Sequence, residues 1–143
     1  MSKSDTFEND LVKLIFNGTA IANLADNAAS SPLTNLYVSL HTADPGEAGT
    51  EATSEISYTG YARQAVARNS GGFVVSGNSV SPAANIDFPE STGGTGGTVT
   101  HFAIGVASAG ATKILYSGTV TPNIVIATGV TPRLKSTSTI TED

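Results

Sequence analysis

The sequence predicts a mainly β fold: an antiparallel, jelly-roll-like β-sandwich of about eight short strands behind one N-terminal α-helix. Three observations support this. Short runs with a period of two in apolar and polar residues recur from residue 36 onward, Gly- and Pro-rich turns separate them, and helical periodicity is confined to the first segment. At 143 residues the chain is long enough to bury a core as one domain, assigned to 1–143.

The predicted helix covers residues 5–17. Its apolar stripe consists of the residues that recur at helical spacing, Phe7, Leu11, Leu14 and Ile15. Asp5 is the expected N-cap, with Glu8 three residues on in a capping-box pattern, and Gly18 is the expected stop. The Ala-rich segment that follows, 19–30, is compatible with a short second helix or with an irregular arm.

The predicted strands share alternation of side chains between two faces and are bounded by turn residues. They lie at 36–41, 60–68, 71–77, 84–90, 98–107, 112–120, 123–129 and 133–141. The "GGTGG" segment at 93–97 is predicted to be a flexible tip. The Thr/Ser-rich end of the chain, 134–143, is predicted to be an extended arm that orders on contact.

Composition narrows the function. Charged residues make up 13% of the chain against about 25% in ordinary domains, so few side chains are available for acid–base catalysis. With 7 Lys and Arg against 12 Asp and Glu, the net charge of −5 disfavours a nucleic-acid partner. No apolar segment approaches the roughly 20 residues that a membrane-spanning helix needs, and no membrane partner is expected. There are no cysteines, and no cofactor or metal is expected; the N-terminus lacks an export-signal pattern, which predicts synthesis in a cytoplasm.

The segment "LYVSLHTADPG" at 36–46 raises the question of catalysis. His41 and Asp44 have the residue types of a general base with its orienting carboxylate, or of half a metal site that His101 would extend. However, Asp-Pro-Gly at 44–46 is a common turn sequence. His41 lies on the strand face opposite the apolar residues, so a half-exposed structural position explains it without catalysis. We therefore expect a strand and its corner, no catalytic residue and no enzyme activity.

An acidic series follows in the loop after this strand, comprising Asp44, Glu47, Glu51 and Glu55. Carboxylates at this density suggest calcium, but the alternating Asp/Asn pattern and central Gly of an EF-hand loop are absent. A solvated loop is the favoured interpretation. The glycine-rich segments also lack the Gly-Lys-Ser/Thr ending of a phosphate-binding loop.

Two tyrosines and two arginines between residues 58 and 68 are candidates for recognition: Tyr58, Tyr61, Arg63 and Arg68. Aromatic residues and Arg are enriched at interface hot spots, which suggests a surface for a sugar or a protein partner. An edge strand with a polar face explains the same residues equally well. Together with the helix stripe, these four form the set of predicted interface residues.

Three segments in order carry a family resemblance: "LYVSLHTADPGEAGTEA", "YTGYARQAV" and "GTVTHFAIGVASAGATKILYSGTV". Over roughly residues 7–130 the chain resembles a family of small tailed-bacteriophage virion proteins, whose members carry an "LHTADPG" corner, a "GYAR" strand and a "THFAI"-like strand. Members are described as tail-fibre-like or head-decoration proteins. The resemblance implies a structural protein without catalytic residues.

Two hypotheses follow. The first is a decoration, or cement, protein on the capsid exterior, assembled in the host cytoplasm. Its partners would be the major capsid protein and further copies of itself, in a dimer or trimer. By binding the assembled shell and not its separated parts, it would stabilise the head. The alternative is a tail-fibre or receptor-binding module in which the region 58–68 recognises a cell-surface glycan.

Overall fold

The computed structural model describes residues 3–21, 24–25 and 31–142. Within them it contains one helix and nine strands: α1 (Asp5–Asn17), β1 (Asn35–His41), β2 (Gln64–Ala67), β3 (Phe73–Ser76), β4 (Ser79–Pro82), β5 (Ile86–Asp87), β6 (Gly97–Gly105), β7 (Ile114–Ile126), β8 (Arg133–Leu134) and β9 (Ile140–Thr141). The predicted class, mainly β with antiparallel pairing and an N-terminal helix, is confirmed.

The chain forms two compact units. Unit 1 comprises Met1–Asn35, Val66–Asn85 and Lys135–Asp143, and unit 2 comprises Leu36–Ala65 and Ile86–Leu134. Within the residues described, no helix combines the length and the hydrophobicity needed to cross a lipid bilayer. Of the ambiguous segment 19–30, residues 22–23 and 26–30 lie outside the described residues, and a short antiparallel bridge joins Ile21 to Ala25.

Helix α1 has the predicted bounds, but its cap is one residue earlier than expected. Ser4 is the N-cap, and its hydroxyl accepts a hydrogen bond from the backbone N–H of Phe7 at 3.4 Å. Asp5 therefore lies in the first turn, where a negative charge is favourable because of the helix dipole. Gly18 ends the helix in the left-handed conformation with φ 65°, as predicted.

In unit 1, α1 packs on a three-stranded sheet with the strand order β3-β4-β9. Strands β3 and β4 form a hairpin, in which Phe73 lies opposite Pro82. The helix inserts Phe16 against Phe73 with ring centroids 4.9 Å apart in an edge-to-face arrangement. The sequence pattern missed β4. The predicted C-terminal arm contains β9, which pairs with β4 through Ile140 and Val80.

The largest sheet has the strand order β2-β1-β6-β7, and most of its residues belong to unit 2. Strand β6 lies between antiparallel neighbours, with Leu40 opposite Phe102 on one side and Phe102 opposite Gly118 on the other. A short ladder of β5 and β8 completes the pairing in this unit. The two strands predicted at 112–120 and 123–129 form one continuous strand, β7, and the strand predicted at 60–68 is limited to β2.

Strand β1 is buried on both faces, contrary to the expectation that one face would be half-exposed. Leu40 and His41 each have 0% exposure, although their side chains point to opposite faces. The reason is that β1 is an interior strand of its sheet and that the loop after it covers the second face. Thr53 and Tyr61 from this covering segment hydrogen bond to β1.

The glycine-rich segment 93–97 is a packed turn. Gly96 has φ 63°, and a Cβ atom there would lie 2.4 Å from the carbonyl oxygen of Ile126. The carbonyl of Gly93 accepts a hydrogen bond from the N–H of Thr59 at 2.8 Å. Glycine is therefore required at Gly96 by the backbone conformation and by the close approach of the Ile126 backbone.

Candidate functional site

The histidine that the sequence singles out lies at the end of β1 in the interior of unit 2. His41 Nδ1 is 2.8 Å from the carbonyl oxygen of Thr53, and Nε2 is 2.9 Å from Ser39 Oγ. A carbonyl only accepts hydrogen bonds, so Nδ1 carries the proton, and Nε2 accepts from the serine hydroxyl. Both ring nitrogens of His41 are thus engaged inside the fold.

Burial lowers the pKa of His41 below its ordinary value of 6.5, although the hydrogen bond to Thr53 and the charge of Glu55 act in the opposite direction. Desolvation disfavours the charged imidazolium, so the neutral ring is the stable form. The arrangement supports a structural role, in which the imidazole connects β1 to the loop that covers it.

The other two members of the hypothetical catalytic set have separate roles. His101 is the cross-strand partner of His41, and its Nδ1 is 2.9 Å from Thr100 Oγ1. Asp44 Oδ1 accepts a hydrogen bond from the N–H of Gly46 at 2.9 Å, which is the turn geometry that the Asp-Pro-Gly sequence predicts. Across residues 3–21, 24–25 and 31–142, no three His, Asp or Glu side chains converge as a metal site would need.

Unit 2 contains a largely buried ionic cluster of Arg63, Glu51 and Glu55, hereafter the arginine cluster. Arg63 binds the Glu55 carboxylate in bidentate fashion, through Nε at 2.7 Å and Nη2 at 2.8 Å. Its Nη1 is 3.2 Å from Glu51 Oε2. The Glu55 carboxylate raises the pKa of Arg63 further above its ordinary value, so the guanidinium remains charged.

The remaining donors of Arg63 bind the loop between β6 and β7. Nη1 donates to the carbonyl of Ala107 at 3.1 Å, and Nη2 donates to the carbonyl of Gly110 at 2.8 Å. Each of the five N–H groups of a guanidinium therefore has an acceptor within reach. The cluster joins the loop after β1 to the β6–β7 loop.

Glu51 is the innermost member of the cluster, with 0% exposure. Thr112 Oγ1 donates to its Oε2 at 2.5 Å, whereas Oε1 has no hydrogen-bond partner. The carboxylate lies against β6 at Gly105, where a Cβ atom would be 1.9 Å from the Glu51 Cδ. Gly105 is thus required by the space that the carboxylate occupies.

The expectation of a solvated acidic loop is wrong for Glu51 and holds only for part of the series. Asp44 and Glu47 are exposed, but the Glu51 side chain is fully buried and the Glu55 side chain is 17% exposed. The reason is the opposite charge supplied by Arg63, since a carboxylate is buried when a paired and hydrogen-bonded cation compensates for its desolvation.

Of the predicted interface residues, Tyr58 and Tyr61 point into unit 2 beside the arginine cluster. Tyr58 is 6% exposed, and its hydroxyl donates to the carbonyl of Pro89 at 2.8 Å. The Tyr61 hydroxyl donates to Glu55 Oε1 at 2.9 Å and accepts from the N–H of Leu40 at 3.1 Å. Burial is the main cause that raises the pKa of both phenols. With Arg63 at 7% exposure, these residues form no open platform for a glycan.

Arg68, the fourth residue of this group, lies in unit 1 at the end of α1. Its Nε donates to the carbonyl of Ile15 at 2.6 Å, Nη2 donates to the carbonyl of Leu14, and Nη1 reaches the carbonyl of Leu33 at 3.4 Å. A cation at this end of a helix compensates for unpaired carbonyls and for the helix dipole. The contacts made by Arg68 therefore stabilise the end of the helix.

The apolar stripe of α1 is only partly covered in unit 1. Phe7 is 38% exposed, and Leu11, Leu14 and Ile15 are half-buried. The face that packs on the sheet carries Val12 and Phe16, which are fully buried. The assignment of the four stripe residues, Phe7, Leu11, Leu14 and Ile15, to an interface stays a prediction. All four retain exposed surface that a partner can cover.

Sequence reasoning missed three contributors to the arginine cluster: the burial of Glu51, the hydroxyl of Thr112 and the small size of Gly105. The only available signal was the low content of charged residues, 13%, which suggests that the few charges present are paired with one another. No local spacing rule relates Glu51 to Arg63, since the loop path alone brings them together.

The comparisons with known proteins bear on function. Residues 2–141 match the family model described as Podophage GP4 fiber I protein gp80. No curated protein matches the chain.

Proposed function

This chain belongs to the podophage GP4 fiber I protein gp80 family, and on that premise we propose that it is a non-enzymatic subunit of a fibre on the phage virion. The chain is a structural protein of a bacteriophage virion, as its resemblance to tailed-phage virion proteins implied. The family match over residues 2–141 is the observation that carries the proposal.

The match favours the fibre over capsid decoration. The family description names a fibre protein, whereas contact with the major capsid protein was expected only for a decoration protein. In a fibre, the partners are further copies of the chain and neighbouring tail proteins. The arginine cluster supports a structural role, because its charged groups bind one another and connect two loops.

Location in the virion tests the proposal. A short epitope tag at the C-terminus, detected by gold-labelled antibody and electron microscopy, should mark the tail or its fibres in a small number of copies per particle. The same tag on the major capsid protein provides the control for labelling of the head. Label distributed over the head in hundreds of copies would refute the fibre proposal and restore the decoration hypothesis.

Self-association as a dimer or trimer is part of the proposal, with the exposed stripe of α1 as its surface. Phe7→Ser removes the stripe residue with the greatest exposure, 38%. We expect this change to lower the sedimentation coefficient toward that of the monomer. Val125→Ser is the matched control, because Val125 is also exposed, at 65%, but lies on β7. A monomeric unaltered chain at all concentrations would contradict self-association.

A further inference from the structure

The end of the chain forms a strand on a sheet that is built from distant parts of the sequence. Strand β9 pairs with β4, with Thr141 opposite Ser79 and Ile140 opposite Val80. The edge that accepts it belongs to the β3–β4 hairpin, on which α1 also packs. Helix and hairpin therefore form this edge without the tail, and the edge fits a strand with the sequence of β9.

The contacts of the tail continue beyond the ladder. Ile140 lies on the same face of the sheet as Val80, which is 2% exposed, because directly paired residues of neighbouring strands point to the same side. The N–H of Glu142 donates to the carbonyl of Asn78 at 2.9 Å, and the Asn78 amide donates to the carbonyl of Glu142 at 2.8 Å. The Glu142 carboxylate is 3.1 Å from Lys3 Nζ. All these partners lie far before the tail in the chain, so the same contacts form whichever copy supplies the tail.

The segment 135–139, which leads into β9, contains a turn that can open. The N–H of Ser138 donates to the carbonyl of Lys135 at 2.9 Å, and Ser136 and Thr137 occupy the two central positions. The turn contains no Gly, Pro, Asn or Asp, the residues that favour tight turns most strongly, and threonine favours extended backbone. Once extended, the five residues span about 17 Å, which gives β9 the reach of a swapped strand.

We propose that copies of this chain exchange their C-terminal strands in the assembled fibre, so that β9 of one copy pairs with β4 of a second copy. Exchange retains the contacts of the tail and makes each chain part of its neighbour's sheet. A fibre holds neighbouring copies side by side, which raises the effective concentration of the second copy's tail. The inference rests on the self-association included in the proposed function and names the segment that mediates it.

The test uses full-length chains, which contain no cysteine of their own. A Ser79→Cys chain with an N-terminal size tag is refolded from urea together with an untagged Thr141→Cys chain and then oxidised. Directly opposed residues of an antiparallel pair have Cβ atoms about 4.5–5.5 Å apart, close to the separation that a disulfide needs. Exchange should give a disulfide-linked hybrid of the two chains on a non-reducing gel, because these thiols meet only when the tail of one chain lies on the hairpin of the other.

The matched control replaces Ser79→Cys by Ser76→Cys. Ser76 is an exposed residue of the same hairpin, but it lies on β3 and is separated from β9 by β4. With this variant the hybrid band should be lost, apart from the background that random collision produces. A hybrid that forms equally with both variants would overturn the exchange.

A second measurement uses the unaltered sequence and does not depend on the folding of cysteine variants. In a mixture of ¹³C-labelled and unlabelled chains, isotope-filtered NMR should detect contacts between methyl groups of Val80 and Ile140 from different chains. Contacts confined to single chains, or the absence of the hybrid band, would overturn the exchange. Virion labelling and sedimentation would still decide the fibre location and self-association separately. A chain that stays monomeric at every concentration would overturn exchange and self-association, but not the location in the fibre.

Discussion

Both units have an apolar interior, but unit 2 also buries an ionic cluster. The interior of unit 1 is apolar where α1 meets the sheet, with Phe16 at 0% and Phe73 at 1% exposure. Unit 2 buries Glu51 at 0% and Arg63 at 7% exposure, and binds its loops through them. Apolar burial is directly favourable in both units, whereas burial of the arginine cluster in unit 2 is favourable only while each charge keeps its partners.

Two arginines from the same predicted strand illustrate the difference. Arg63 binds ionised carboxylates in unit 2, whereas Arg68 in unit 1 donates to the neutral carbonyls of Leu14 and Ile15. Removing Arg63 leaves buried anions behind, while removing Arg68 leaves carbonyls that water can solvate. A buried ion pair therefore makes a unit more vulnerable to a single substitution than a helix cap does.

The largest effect is expected from Arg63→Ala. Breaking a buried ion pair by removing one partner costs about 3–5 kcal/mol, because an uncompensated charge remains. Urea denaturation should show the loss in the free energy of unfolding. Arg133→Ala is the control, since its ion pair with Asp87 is exposed, and it should change stability little. Equal losses in the free energy of unfolding for the two substitutions would show that the arginine cluster contributes no more to stability than an exposed ion pair.

Gly105→Ala should have the next largest effect. The added methyl group would occupy the position of the Glu51 carboxylate, and overpacking of this kind costs about 1–3 kcal/mol. The same substitution in a Glu51→Ala background should cost clearly less, because the obstructing carboxylate is gone. Double-mutant analysis of urea unfolding measures this coupling. Strict additivity would mean that Gly105 is required for some other reason.

In unit 1, Arg68→Gln should lower the free energy of unfolding by about 1–2 kcal/mol, since hydrogen bonds from a charged donor to the helix carbonyls are lost. Thermal unfolding followed by circular dichroism is a suitable measurement. Lys135→Gln removes the same charge from an exposed position of unit 1 and should have almost no effect. A loss as large as that of Arg63→Ala would remove the proposed difference between the units.

The smallest effect is a dependence of stability on pH that arises in unit 2. The folded state lowers the pKa of His41 below 6.5, so between the folded and unfolded pKa values the unfolded chain binds more protons. Stability from this residue is therefore complete above about pH 7 and decreases as the pH falls below 6.5, by at most about 1.4 kcal/mol per pH unit. His41→Gln should flatten the pH profile of urea unfolding between pH 7 and 5; an unchanged slope would contradict this account.

Much of the fold follows from local signals, whereas the arrangement of charges does not. The bounds of α1 and the stop at Gly18 were predicted because a helix repeats every 3.6 residues and ends readily at glycine. The missed strand β4 and the merging of two predicted strands into β7 depend on pairing with distant segments. Period-two patterns do not encode that pairing when the intervening residues are small and polar.

The sequence by itself determined that the chain is mainly β with one leading helix, that it is acidic, and that the corner after β1 is a turn. These are consequences of backbone conformation and composition, which act over a few residues. Tertiary structure alone decided that Glu51 is buried on Arg63 while Glu47 is exposed. Members of one acidic loop differ in this way because the fate of a charge depends on which distant cation the chain brings within reach.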